Sequence, residues 1–124
     1  MFVNLSNHPS AQWPEDQLAT AERIASPIRD FPFPSVDPTA SPKAVGELAQ
    51  AIGAEVLAWG ATAAMVEGEF TLTYALVQLL MRAGVMCYAA TSKRETTATL
   101  QIDGSVARNS VYRFVTLRRY VDDL

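Results

Sequence analysis

Two stretches of the chain, ATAAMVEG at 61–68 and VMCYAATS at 85–92, are apolar almost without interruption. A strand with one wet face alternates apolar and polar residues. A continuous run means a strand covered on both faces, and the usual cover is helices packed on each side of a parallel sheet. The flanking segments supply such helices. Ser41-Pro42 is an N-cap followed by a first-turn proline, and Val45, Leu48, Ile52, Val56 and Trp59 then recur at spacings of three and four until Gly60 stops the helix. EFTLTYALVQLLMRAG reads as a second helix, closed by Gly84 with Arg82 in its last turn.

The first forty residues extend the same alternation. FVNL, Phe2 to Leu5, is a short strand. Ser10 to Pro14 start a helix whose stripe is Leu18, Ala21, Ile24 and Ala25. The two prolines of PIRDFPFP forbid a central, fully paired strand, so Ile28 to Phe31 is expected at a sheet edge, leading into the turn-rich loop Ser35 to Pro42. After Arg94 the pattern switches. TTATLQI alternates, Asp103-Gly104 is a turn signal, and SVYRFVTLRRY alternates again, which predicts a separate terminal antiparallel pair. The expected fold is one α/β domain over residues 1–124. It is a three-layer sandwich whose mainly parallel sheet ends in an antiparallel hairpin.

Composition narrows the function classes. With 49% apolar and 19% charged residues, 124 residues build one core. A net charge of -3 with no long basic stripe argues against tracking a long nucleic acid. A small anionic ligand held by local donors is compatible with it. A single cysteine, Cys87, and a single histidine, His8, give no disulfide and no metal-ligand spacing, so neither metal nor cofactor is expected. No signal peptide and no membrane span is read from the chain, and a cytoplasmic location is the default expectation.

In an open parallel sheet the ligand sits beyond the carboxyl ends of the strands. Polar residues gather at three of those ends: Ser6, Asn7 and His8 after the first strand; Glu67, Gly68, Glu69, Thr71 and Thr73 after the third; Thr91, Ser92, Lys93 and Arg94 after the fourth. Each has a plainer reading as well. Asn7-His8-Pro9 is a good turn, Glu69 caps a helix, and ATSKR is a solvated loop. Gly68 marks a place where a ligand or a neighbouring chain segment comes close. Trp13 either stacks on a base or packs on the first helix, and Trp59 belongs to the core. No phosphate loop, dinucleotide fingerprint or nucleophile elbow is present.

The segments FVNLSNHPSAQW, DFPFPSVDP, VEGEFTLTYALVQLL and AATSKRE resemble a group of small bacterial accessory proteins of type III CRISPR loci. The resemblance spans most of the chain. It implies a minimal Rossmann-like domain in antiviral signalling that binds a cyclic oligoadenylate messenger, as a ring nuclease or as a sponge. It implies a two-fold homodimer with the ligand across paired carboxyl edges, and cleavage without metal by the ribose 2'-hydroxyl. In that scheme His8 is general acid or base, and Arg94 or Lys93 stabilises phosphate. Ser6, Asn7, Thr71, Thr91 and Ser92 orient the ligand, near Gly68. Glu69 fits beside phosphate only as a reader of a hydroxyl or base edge. Two alternatives stay open. One is a nucleoside or nucleotide-sugar hydrolase with Glu69 as nucleophile and Glu67 or Asp37 as its second carboxylate. The other is a non-catalytic binding module presenting Tyr112, Phe114 and Tyr120.

Overall fold

The computed structural model describes all 124 residues. Five strands form one mixed sheet: β1 (Phe2–Ser6), β2 (Ile28–Pro32), β3 (Ala63–Val66), β4 (Met86–Leu100) and β5 (Val106–Arg119). Three helices, α1 (Glu15–Ile24), α2 (Pro42–Ala58) and α3 (Phe70–Arg82), cover it, with a short 3-10 turn at Ser10–Gln12. The strand order is β2-β1-β3-β4-β5, parallel except for the β4–β5 pair. As its prolines require, β2 lies at an edge.

Side-chain alternation across the central strands separates two cores. Val3, Leu5, Ala64, Val66 and Cys87 face α2 and α3, against Val45, Ile52, Val56, Leu72, Leu76 and Leu80. Phe2, Ala63, Met65, Tyr88 and Leu117 face the other way, against Ala21 of α1 and Trp13. Phe2 carries this second core: Trp13 meets it edge-on at 6.4 Å and Tyr88 stacks on it at 6.3 Å. The three layers are thus α1, the sheet, and α2 with α3. Cys87 is buried, and burial pushes its thiol up to about 11, against a small opposing pull from Arg119.

Two boundaries differ from expectation. α1 starts at Glu15, with Pro14 at the N-cap position. Ser10 opens the separate 3-10 turn and gives its backbone N–H to Asp30. More consequentially, the fourth strand does not stop at a loop. Met86–Leu100 is one 15-residue strand that runs straight into the terminal hairpin, so the sheet has five strands and ATSKR lies inside β4. A register shift sits between Thr91 and Ser92, where Val115 is the extra residue on β5. That bulge lets Phe114 and Leu117, three residues apart, share the α1 face.

Candidate functional site

Strand order reverses between β1 and β3: the chain leaves β1 for β2 on one side and returns to β3 on the other. Such a reversal opens a crevice beyond the carboxyl ends of those two strands. The residues after β1 show how it is built. Asn4 and Ser6 point to the α1 face, where apolar residues would be expected, and are 1% and 4% exposed. Buried polar groups must be paired, and these are. Asn4 Nδ2 donates to the His8 carbonyl (2.8 Å) and to Asp30 Oδ1 (3.0 Å). Ser6 Oγ donates to Asn4 Oδ1 (2.6 Å) and accepts from the His8 N–H (3.1 Å). Trp13 Nε1 donates to the same His8 carbonyl (2.9 Å). The main chain of His8 is clamped on both its N–H and its C=O, while the imidazole stays exposed.

That imidazole borders a cleft of about 290 Å³ on the α1 side. His8, Gln12 and Trp13 form one rim, Gln17 of α1 and Met65 the floor, and Glu67 with β4 and β5 the far wall. Gln17 is buried, and its amide nitrogen makes a weak contact to Met65 Sδ at 3.6 Å. Glu67 Oε1 accepts the Ala90 N–H at 2.6 Å, prolonging the β3–β4 ladder one step past the end of β3; its Oε2 has no protein donor. Tyr112 and Phe114 supply the aromatic wall. No lysine or arginine lines the cleft. It can hold a flat ring against aromatic faces and offer it an amide, a carboxylate, a hydroxyl and an imidazole.

Of the residues expected at a site, His8, Glu67, Thr91 and Ser92 line this cleft. The others do not. Ser6 spends its hydroxyl on Asn4 and positions the turn; Asn7 borders a separate hollow of about 120 Å³ with Asp30 and Pro32. Glu69 is the N-cap of α3: its carboxylate accepts from the N–H groups of Leu72 (2.8 Å) and Thr71 (3.0 Å) and from Thr71 Oγ1. The Leu72 and Thr71 amides, then the Thr71 hydroxyl, hold the Glu69 carboxyl below the usual glutamate range. Thr71 borders a hollow between α2 and α3, on the opposite face from the cleft. The space that Gly68 leaves open is filled from within: a Cβ there would overlap three ring carbons of buried Phe33.

The ATSKR reading needs the largest correction. These are not free loop donors, because their residues pair with β5 as Thr91–Thr116, Ser92–Phe114, Lys93–Arg113 and Arg94–Tyr112. Thr91 Oγ1 bonds the Thr116 backbone across the bulge, accepting its N–H at 3.2 Å. Arg94 shares the Tyr112 face and gives its guanidinium N–H groups to Ser110 Oγ at 3.1 Å, while Lys93 lies on the other face.

Gln12, Gln17 and Met65 were not expected there, and Tyr112 and Phe114 were expected only as a partner-binding surface. One signal was present: Gln17 falls four residues before Ala21 on the buried stripe of α1, where an amide is out of place. At the end of β5, Tyr120 Oη donates to the Val66 carbonyl at 2.7 Å. Burial, then the charge of Glu67, raises its pKa. Trp13 resolves as packing, through Phe2 and its bond to His8. No group of three His, Cys, Asp or Glu side chains could hold a metal ion.

A family model described as "Uncharacterized protein MJ1673 family" matches residues 1–118. The chain belongs to the MJ1673 family. No curated protein and no solved structure matches it significantly. The family match runs through the His8 turn, the Glu67 end of β3 and the β4–β5 hairpin up to Arg118, so every residue that lines the cleft lies within it. The family description names no ligand or reaction. No helix is long and apolar enough to cross a membrane.

Proposed function

We propose that the cleft binds an adenine nucleotide of the cyclic oligoadenylate class and retains it, in the CRISPR-linked signalling that the sequence resemblance implies. The observation that carries this is the joint placement of the Tyr112–Phe114 wall, the Gln17 amide and the unpartnered oxygen of Glu67 in one cleft at the strand-order reversal. Aromatic faces take a base of any kind by stacking. A carboxylate oxygen without a donor suits an exocyclic amine or a ribose hydroxyl, which removes the misfit of a carboxylate beside phosphate.

Size decides how much ligand enters. At about 290 Å³ the cleft is at the low end for small-molecule sites, enough for a base and part of its ribose. The remainder of the ring lies over the mouth, past His8 and Ser92 toward Arg94. Retention is favoured over cleavage for a chemical reason. Attack by a 2'-hydroxyl needs one group to take its proton and another to protonate the leaving 5'-oxygen, and His8 is the one imidazole available. The nucleotide-sugar hydrolase alternative would need Glu69 free, and its carboxylate is committed to the α3 cap.

Calorimetric titration with cyclic tri-, tetra- and hexa-adenylate tests the reading. Binding of one of them, weakened at least about tenfold by Phe114→Ala through loss of a stacked base, is expected. No heat with any of the three overturns it. Product analysis with the ligand that binds then compares wild type with His8→Ala. Intact ligand in both fits retention, and wild-type turnover abolished in the variant makes His8 the catalytic group of a ring nuclease.

A further inference from the structure

β4 pairs with β3 only as far as Tyr88, yet continues to Leu100, and β5 returns beside it from Val106. From Ser92 to Leu100 the two strands have no third neighbour, so a two-stranded arm projects about 30 Å past the carboxyl edge of the sheet. A ribbon of this kind is marginal in water by itself. This one also exposes Leu100, Val106, Val111 and, at its tip, Ile102.

Charge is divided between the arm and the rest of the chain. Ser92 to Phe114 hold four of the ten cations, Lys93, Arg94, Arg108 and Arg113, and two of the thirteen carboxylates. The rest of the chain has six cations and eleven carboxylates. The carboxyl edge concentrates them: Glu15 and Asp16 open α1, and Asp37, Glu67 and Glu69 lie in the loops, against Lys43 at the start of α2; Asp30, midway along β2, spends its carboxylate on Asn4 and the Ser10 N–H. Beside these carboxylates, Phe70 and Tyr74 form an exposed aromatic pair on the first turns of α3, 90% and 68% accessible.

We propose that the arm of one copy lies across the carboxyl edge of a second copy, its arginines over the edge carboxylates and its aliphatic tip on Phe70 and Tyr74. The exchange is reciprocal, so the pair is two-fold symmetric. Each arm face covers about 30 by 10 Å, and two such docked faces with the surfaces beneath them bury about 1,200 Å², the lower bound for a specific interface. Opposite charge favours this arrangement over edge-to-edge pairing of two β5 strands, which would lay two strands with four arginines and no carboxylate side by side. The proposal rests on topology and charge, and stands or falls separately from the nucleotide reading.

Sedimentation of the full chain without nucleotide tests it. Lys93 and Arg108 make no side-chain bond within the chain, so reversing them leaves the fold intact. At about 50 mM salt the wild type is expected at twice 13.5 kDa, with dissociation promoted at about 500 mM. The arm variant Lys93→Glu with Arg108→Glu, and the edge variant Glu15→Lys with Asp37→Lys, are each expected to run as monomers and to pair when mixed. A wild type that stays at 13.5 kDa in low salt overturns the proposal. So does an arm variant that dimerises as wild type does, or a monomeric wild type that assembles only on duplex DNA or RNA.

Discussion

Asn4→Ala removes the centre of the network under the His8 turn. The side chain is 1% exposed and makes three hydrogen bonds, to the His8 carbonyl, Asp30 Oδ1 and Ser6 Oγ. Each buried bond contributes about 1 kcal/mol net, and unpaired survivors add to the loss. The His8 carbonyl keeps Trp13 Nε1, and Ser6 Oγ can turn to that carbonyl 3.4 Å away, so the penalty is partly relieved. The expected cost is about 2–4 kcal/mol, a large share of the ~5–15 kcal/mol of a domain this size. In urea melts the midpoint falls by about 1–2 M with m unchanged, and Tm falls by about 10 °C. A cycle with Ser6→Ala is expected to show about 1 kcal/mol of coupling. A loss below about 0.5 kcal/mol, or strict additivity of the two substitutions, refutes the claim that a paired network holds the turn.

Gly68→Ala is expected to cost about 1–3 kcal/mol in urea melts through overlap with Phe33, and under about 1 kcal/mol in a Phe33→Ala background; equal costs in both contradict the contact. Glu69 has a depressed folded-state pKa, so its contribution is present above the ordinary value of 4.5 and is lost as pH falls below it. The Tm gap between wild type and Glu69→Gln should therefore narrow steadily as pH falls below 4.5, and a gap that stays constant from pH 7 into acid would falsify the cap. Cys87, with its thiol raised to about 11, should react with a thiol reagent at pH 8 only once urea unfolds the chain, and rapid native labelling contradicts its burial.

The layered core was legible because it is a matter of pattern. Continuous apolar runs marked β3 and the start of β4, and the Ser41 cap and the Val45–Trp59 stripe placed α2. The polar features were legible only by location. Ser6 and Glu69 look like ligand-facing groups in a sequence, but their partners, Asn4 and the Thr71 and Leu72 amides, take them up. The ATSKR segment looked like a loop because β4 loses its helical cover past Tyr88 and turns polar, although its backbone stays paired. The threonines at 91, 96, 97 and 99 favoured strand throughout. Phe33 meeting Gly68, and Tyr112 and Phe114 reaching the cleft of His8, are contacts distant in sequence that no local pattern encodes.

The central claim is that a nucleotide occupies the cleft between His8, Gln17, Glu67 and Phe114. Titrating ¹⁵N-labelled protein with cyclic tetra-adenylate and following each amide and side-chain resonance tests it most directly. The account predicts shifts clustered at His8, the Gln17 side-chain amide, Glu67, Ser92 and Phe114, with the α3 cap at Glu69 and Thr71 unmoved. No shift at millimolar ligand, or shifts centred on the α3 cap, would contradict it.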